Sequence, residues 1–155
     1  MPAAPVSLRP ATRADAAALS DFEQLVFANE PNRISPRQWR YLVARGDDST
    51  MIAEAGNVLL GVLVLSFRTG GRGLRLHSLG VHPDARRRGV ARALLDYALS
   101  FAVARGFELV RLEVRLENRA AIALYRNAGF ASVARLASYY GLGEDGLRME
   151  RSVGG

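Results

Sequence analysis

The chain contains no cysteine. Disulfides, thiolate metal sites and any covalent enzyme thioester are therefore excluded. His77 and His82 are the only histidines, so no histidine-rich metal site, and no metal, is expected. No apolar run reaches the ~20 residues of a membrane-spanning helix. The opening MPAAPVSLRPATRADAA lacks the apolar stretch of a secretory leader, so a cytoplasmic protein is expected. No repeat or low-complexity linker divides the chain. Its 155 residues, 49% hydrophobic and 23% charged, fit one soluble globular domain over 1–155. The net charge of +6 favours anionic partners, and the basic residues are arginine, which suits bidentate phosphate contacts.

Periodicity supplies the elements. Val6-Ser7-Leu8 alternates as a short strand, and Thr12 with Asp15 opens a helix carrying Ala16, Leu19, Phe22 and Val26 at helical spacing. Pro36 suits the first turn of a second helix with Trp39, Leu42 and Val43. Two β-rich runs flank the turn Ala55-Gly56-Asn57, and TGGRG, residues 69–73, turns into the strand LRLHSLGV, residues 74–81. Val90, Leu94, Ala98 and Ala102 then recur every four residues. LVRLEVRL, residues 109–116, alternates, with Val110, Leu112, Val114 and Leu116 on one face and Arg111, Glu113 and Arg115 on the other. Asn118 is an N-cap for RAAIALYRNA, and Gly129 a C-terminal cap. The last strands are ASVARLAS and GLRME, joined by YYGLGEDG. The order is β-α-α-β-β-β-α-β-α-β-β, an α/β (mixed α+β) arrangement with helices on both faces of a sheet. The unit over 74–116 is a parallel crossover, right-handed by the general rule.

DARRRGVAR, residues 84–92, lies where a strand ends and a helix begins. Unpaired amides and the helix dipole make that junction an anion site. Gly89 and Ala91 let a ligand approach the backbone, and Arg86, Arg87, Arg88 and Arg92 add charged donors. The other reading is a basic helix start facing solvent. The dipole itself prefers negative residues there, so three consecutive arginines ask for a counter-anion.

HSLGVHPDARRRGVARALLDYAL resembles the acetyl-CoA motif Arg/Gln-x-x-Gly-x-Gly/Ala of the GNAT N-acetyltransferases, matched by Arg86, Gly89 and Ala91. LEVRLENRAAIALYRNAGF, residues 112–130, resembles the family's second block. Its strand Glu113, then Asn118, Ala121–Tyr125 and Gly129-Phe130, is similar to the RimI-like branch of ribosomal-protein alanine N-acetyltransferases. The tail YYGLGEDGLRM also looks RimI-like. The resemblance covers residues 50–150 and is looser over the first 45.

This resemblance implies the GNAT fold: a central mixed, mostly antiparallel sheet with a β-bulge or splay. It implies an acetyl-CoA-dependent transfer to a primary amine, with CoA as product and no metal. The splayed strand would bind the pantetheine arm and acetyl carbonyl through Leu79, Gly80 and Val81, its N–H groups forming an oxyanion hole. Arg86 to Arg92, including Val90 and Ala91, would hold the pyrophosphate, with some arginines left for the 3′-phosphate or solvent. Asn118 and Ala121 would meet the pantetheine arm. Tyr125 would be the general acid and Glu113 the base, directly or through water. From the residues alone, Tyr125 is otherwise an amphipathic core residue of its helix, and Glu113, which shares its strand face with Arg111 and Arg115, is otherwise part of a cross-strand ion-pair ladder. Many members carry a glutamate on the preceding strand, where this chain offers only His77 and Ser78; His77 is the second candidate base. Without cysteine, transfer is direct.

An α-amine of pKa about 8 costs about 1.4 kcal/mol to deprotonate at pH 7, and a lysine of about 10.4 costs about 4.6. A weak base therefore favours a polypeptide N-terminus over the alternatives, a lysine side chain or a small amine. Acceptor recognition is expected in ANEPNRISPRQW and around Tyr139-Tyr140, which are either groove walls or ordinary strand aromatics. Glu144 and Asp145 either greet a cationic acceptor or are simply solvated. The competing class is a non-catalytic CoA-, RNA- or ribosome-binding module, though no aromatic-plus-basic RNA signature is present and nucleic acid is not expected. The chain is expected as a monomer or homodimer.

Overall fold

The computed structural model describes residues 4–154. Its elements are β1 (Val6–Pro10), α1 (Ala16–Val26), α2 (Pro36–Ala44), β2 (Thr50–Ala55), β3 (Val58–Ser66), β4 (Gly73–Val81), α3 (Val90–Ala104), β5 (Leu109–Arg115), α4 (Arg119–Asn127), β6 (Ala131–Gly141) and β7 (Glu144–Ser152). This is the order that periodicity predicts. Short 3-10 turns, Arg13–Asp15 and Pro83–Ala85, precede α1 and α3. The strands bond in the order β1-β2-β3-β4-β5-β7-β6. β1–β2, β2–β3, β5–β7 and β6–β7 are antiparallel, and β4–β5 is parallel. Two compact units make up the chain: Met1–Leu65 with His77–Tyr97, and Ser66–Leu76 with Ala98–Gly155.

In the first unit, Asp15 accepts bonds from the Thr12 amide at 2.7 Å and from the Arg9 guanidinium at 2.8 Å, which starts the first helical turn. The Arg9 bonds hold the Asp15 carboxyl low, at about 2. Ser35 and Gln38 form a reciprocal capping box at the start of α2, with Pro36 in its first turn. Leu19, Phe22, Trp39 and Val43 then pack with Ile52, Val62 and Val64. The opposite side of β3 meets α3: a Cβ on Gly61 would lie 2.7 Å from Val90 Cγ1. Successive strand residues face opposite ways, so helices cover both faces of β3. Glu23, buried in α1, accepts the Ile34 amide at 2.7 Å, and burial pushes its carboxyl up.

In the second unit, Leu74, Val110, Leu112, Val114, Leu147 and Met149 are buried. Phe67 packs against Phe101 and Phe107, at 5.7 and 5.4 Å between ring centroids. Gly129 adopts φ +91 just past α4, the left-handed cap position its residue type suits. The final hairpin differs from its sequence reading. β6 and β7 extend to Gly141 and Glu144, so the tyrosines belong to the strand and only Leu142-Gly143 turns. Asp145 makes the extension workable by accepting the Ser138 amide at 2.9 Å and the Arg135 guanidinium at 2.7 Å. The register of β6 shifts twice, between Ser132 and Ala134 and between Leu136 and Gly141, and Ser138 has φ +50. β6 and five-residue β1 are the sheet's edges.

Candidate active site

The parallel β4–β5 register covers Gly73↔Leu109, Leu74↔Val110 and Arg75↔Arg111, three of the nine residues of β4. Leu79, Gly80 and Val81 lie past it. Register shifts are seen between Ala53 and Glu54 in β2 and twice in β6. Gly80 is buried, and a Cβ there would lie 2.9 Å from the Phe27 ring. A glycine inside a strand pattern signals such a close approach, but it does not name the partner.

After β4, the His82 Nδ1 accepts the Asp84 amide at 3.0 Å and caps the 3-10 turn. The chain then alternates: Arg86 is extended, and Arg87 and Gly89 take φ +67 and +77. These positive φ values bend the backbone tightly between the 3-10 turn and α3, and the Arg88 amide bonds to the Ala85 carbonyl at 3.4 Å. The Ala93 amide bonds to the Gly89 carbonyl at 3.0 Å and so closes the first turn of α3. The amides of Gly89, Val90, Ala91 and Arg92 precede that closure and have no acceptor within the helix. Arg86, Arg87 and Arg88 are exposed and form no ion pair among the described residues. Arg92 is different, since its Nε holds Asp96 one turn on at 2.9 Å. Val90 is buried and anchors the loop's end.

In the second unit, Asn118 caps α4, its Oδ1 accepting the Ala121 amide at 3.2 Å. Its side-chain NH2 remains a donor. Asn118→Ala should cost about 1 kcal/mol of stability, read from urea unfolding. One turn on from Ala121, Tyr125 is 7% exposed and meets Phe130 edge-to-face at 5.8 Å. Its hydroxyl has no hydrogen-bond partner among the described residues. Burial pushes the phenol up to about 12 from 10. A raised folded-state value stabilises the fold below pH 10, and that contribution is lost as pH rises toward 12. Alkaline unfolding of wild type should therefore steepen over that window, while Tyr125→Phe shows no such loss.

Glu113 faces away from the Leu112 core, as the alternation predicts, and its side chain is 6% exposed. Its partners are the cross-strand arginines of an ion-pair ladder rather than Arg111 and Arg115 of its own strand. Arg75 of β4 contacts Oε1 at 2.9 Å and Arg148 of β7 contacts Oε2 at 3.4 Å. Arg111 is exposed, and Arg115 turns to Glu144 at 3.1 Å and lies over the Tyr140 ring at 4.7 Å. Residues two apart on a strand sit about 6.6 Å from each other, whereas cross-strand neighbours sit about 5 Å away. Glu144 and Asp145 are likewise bound to arginines of their own chain. His77 is exposed on β4. No cluster of three or more His, Cys, Asp or Glu suited to a metal occurs among the described residues. No helix among them is long and apolar enough to cross a membrane.

Residues 16–130 match the model of the Acetyltransferase (GNAT) family. The chain is 36% identical, over 97% of its length and 94% of the relative's, to the N-alpha-acetyltransferase RimI of Mycobacterium tuberculosis. It is 42% identical over 65 residues to the Escherichia coli [Ribosomal protein bS18]-alanine N-acetyltransferase, a match spanning 42% of this chain and 44% of that protein. Among solved structures, Ard1 from Thermoplasma volcanium aligns over 97% of this chain and 99% of its own, with TM-score 0.84 and 26% identity.

Proposed function

Because the chain belongs to the GNAT acetyltransferase family, and is an acyltransferase that draws its acetyl group from acetyl-CoA, we propose that it acetylates the α-amino group at a polypeptide N-terminus. The observation that carries this acceptor is the near full-length identity to an N-alpha-acetyltransferase. A ribosomal-protein N-terminus is the first acceptor to test, since the Escherichia coli relative is named for one.

The donor's pyrophosphate fits the loop. Three arginines there carry no carboxylate partner, Gly89 and Ala91 keep the backbone open, and the first-turn amides point out of the helix. Arg86, Arg87 and Arg88 with the amides of Gly89, Val90, Ala91 and Arg92 hold the diphosphate. The backbone of Leu79, Gly80 and Val81 binds the pantetheine arm, with Asn118 and Ala121 as its further contacts. Tyr125, protonated at every physiological pH, protonates the departing sulfur. Glu113 removes the acceptor's proton, directly or through water. All of 1–155 serves as one catalytic domain in the cytoplasm, as a monomer or homodimer, without nucleic acid.

Thiol release from acetyl-CoA tests the acceptor. Peptides with free N-termini should turn over faster than N-terminally blocked lysine peptides and small amines. Faster turnover on a blocked lysine peptide overturns the assignment. Steep, salt-dependent RNA binding without a CoA-induced thermal shift would support the binding-module alternative.

A further inference from the structure

Glu113 lies on β5 between two strands that each bring it an arginine, and the two contacts are unequal. Arg75 aims both Nε and Nη2 at Oε1, each at 2.9 Å. Arg148 reaches Oε2 through Nε alone, at 3.4 Å, near the limit of a hydrogen bond. A carboxylate offers about four lone-pair sites. Those of Oε1 are filled by the Arg75 fork, and Oε2 keeps an acceptor position behind one long contact. The same sheet face carries Arg111 beside Arg75 in register and Glu150 beside Arg111, and Arg115, whose guanidinium meets Glu117 and Glu144.

We infer that Arg75 is a positioning residue that pins Oε1 of Glu113 and so makes Oε2 the oxygen that receives the acceptor's proton. The inference rests on Glu113 being the base. A buried carboxylate needs a partner to stay charged, and a base needs a fixed direction to act on one nitrogen. Arg75 supplies both without occupying the working oxygen. In the balanced step, one proton passes from the ammonium to Oε2 and the freed nitrogen pair forms the N–C bond. As the C–S bond breaks, Tyr125 protonates the sulfur. The nitrogen's second proton restores Tyr125 through solvent, and Glu113 releases its own proton to solvent.

The test compares Arg75→Gln, Arg75→Lys, Arg148→Gln, Glu113→Gln and the double variant Glu113→Gln/Arg75→Gln, each scored for kcat, for KM of acetyl-CoA and for Tm. Both Arg75 variants should lower kcat by about 10- to 100-fold at unchanged KM, because a displaced base loses its line of attack. Lysine keeps the charge but not the fork, so it should not rescue. Arg148→Gln should change kcat far less. The double variant should be no slower than Glu113→Gln, since Arg75 acts only through that carboxylate. Additive losses, or full rescue by lysine, overturn the inference. So does wild-type turnover in the Arg75 variants beside an inactive Glu113→Gln. If Arg75→Gln does not fold, Arg75→Lys decides. Full activity in Glu113→Gln removes the base assignment and this inference with it, while leaving the transferase itself intact.

Discussion

Tyr125→Phe should lower kcat by about 100-fold, the lower end of what a positioned acid contributes, and leave acetyl-CoA affinity unchanged. That loss corresponds to about 2.7 kcal/mol of barrier. The substitution removes one oxygen and keeps the ring that packs against Phe130. A thiolate leaves with a reference pKa near 8.5, so any help it receives comes from a group that still carries its proton at neutral pH. Tyr125, pushed up to about 12, meets that condition. The pH profile of wild type should accordingly show no loss of the acid below pH 10. Steady-state kinetics paired with a CoA thermal shift decides the case. A variant with normal kcat makes Tyr125 a packing residue only.

Replacing Arg86, Arg87 and Arg88 together by glutamine should weaken acetyl-CoA binding by about 100-fold, with kcat at saturation kept within a few-fold. Each exposed guanidinium–phosphate contact contributes about 1 kcal/mol, and about 1.4 kcal/mol is tenfold in affinity. The loss should shrink as salt rises, because screening already weakens these contacts in wild type. Gly89→Ala separates charge from backbone. Its Cβ meets open space, so the variant mainly costs about 1 kcal/mol for holding φ +77. Calorimetric titration with CoA measures both variants. Unchanged affinity in the triple variant assigns the diphosphate to the amides alone.

Local features were readable from the residues, and non-local ones were not. The alternation of β5 predicts that Val110, Leu112 and Val114 are buried while Glu113 turns the other way, because strand geometry has a fixed period of two. The caps at Asn118 and Gly129 and the helix starting after Gly89 follow from side-chain and φ chemistry within a few residues. The partners of Glu113 come from β4 and β7, and their register depends on pairing across 38 and 35 residues of sequence. Alternation names Arg111 and Arg115 as the face-mates of Glu113 and allows a cross-strand ladder, but it cannot say which arginines stand opposite. The late hairpin is longer than its composition indicates for a similar reason. Its bonds to Asp145 and its left-handed Ser138 hold Tyr139 and Tyr140 in a strand that composition alone leaves as a loop. The tight approaches of Phe27 to Gly80 and Val90 to Gly61 were visible only as glycines inside strands.

The two register shifts of β6 bear on how the protein behaves at high concentration. An edge strand presents a row of unpaired amides and carbonyls that can template a neighbour. Here the row is interrupted within eleven residues, and Ser138 bends the backbone out of the pleat. At the other edge, β1 has five residues and ends on Pro10, which has no amide to offer. Neither border can zip along a second copy for more than a short stretch. The sheet is thereby protected against cross-chain ladder growth during synthesis and refolding, and concentrated samples should age without fibre formation.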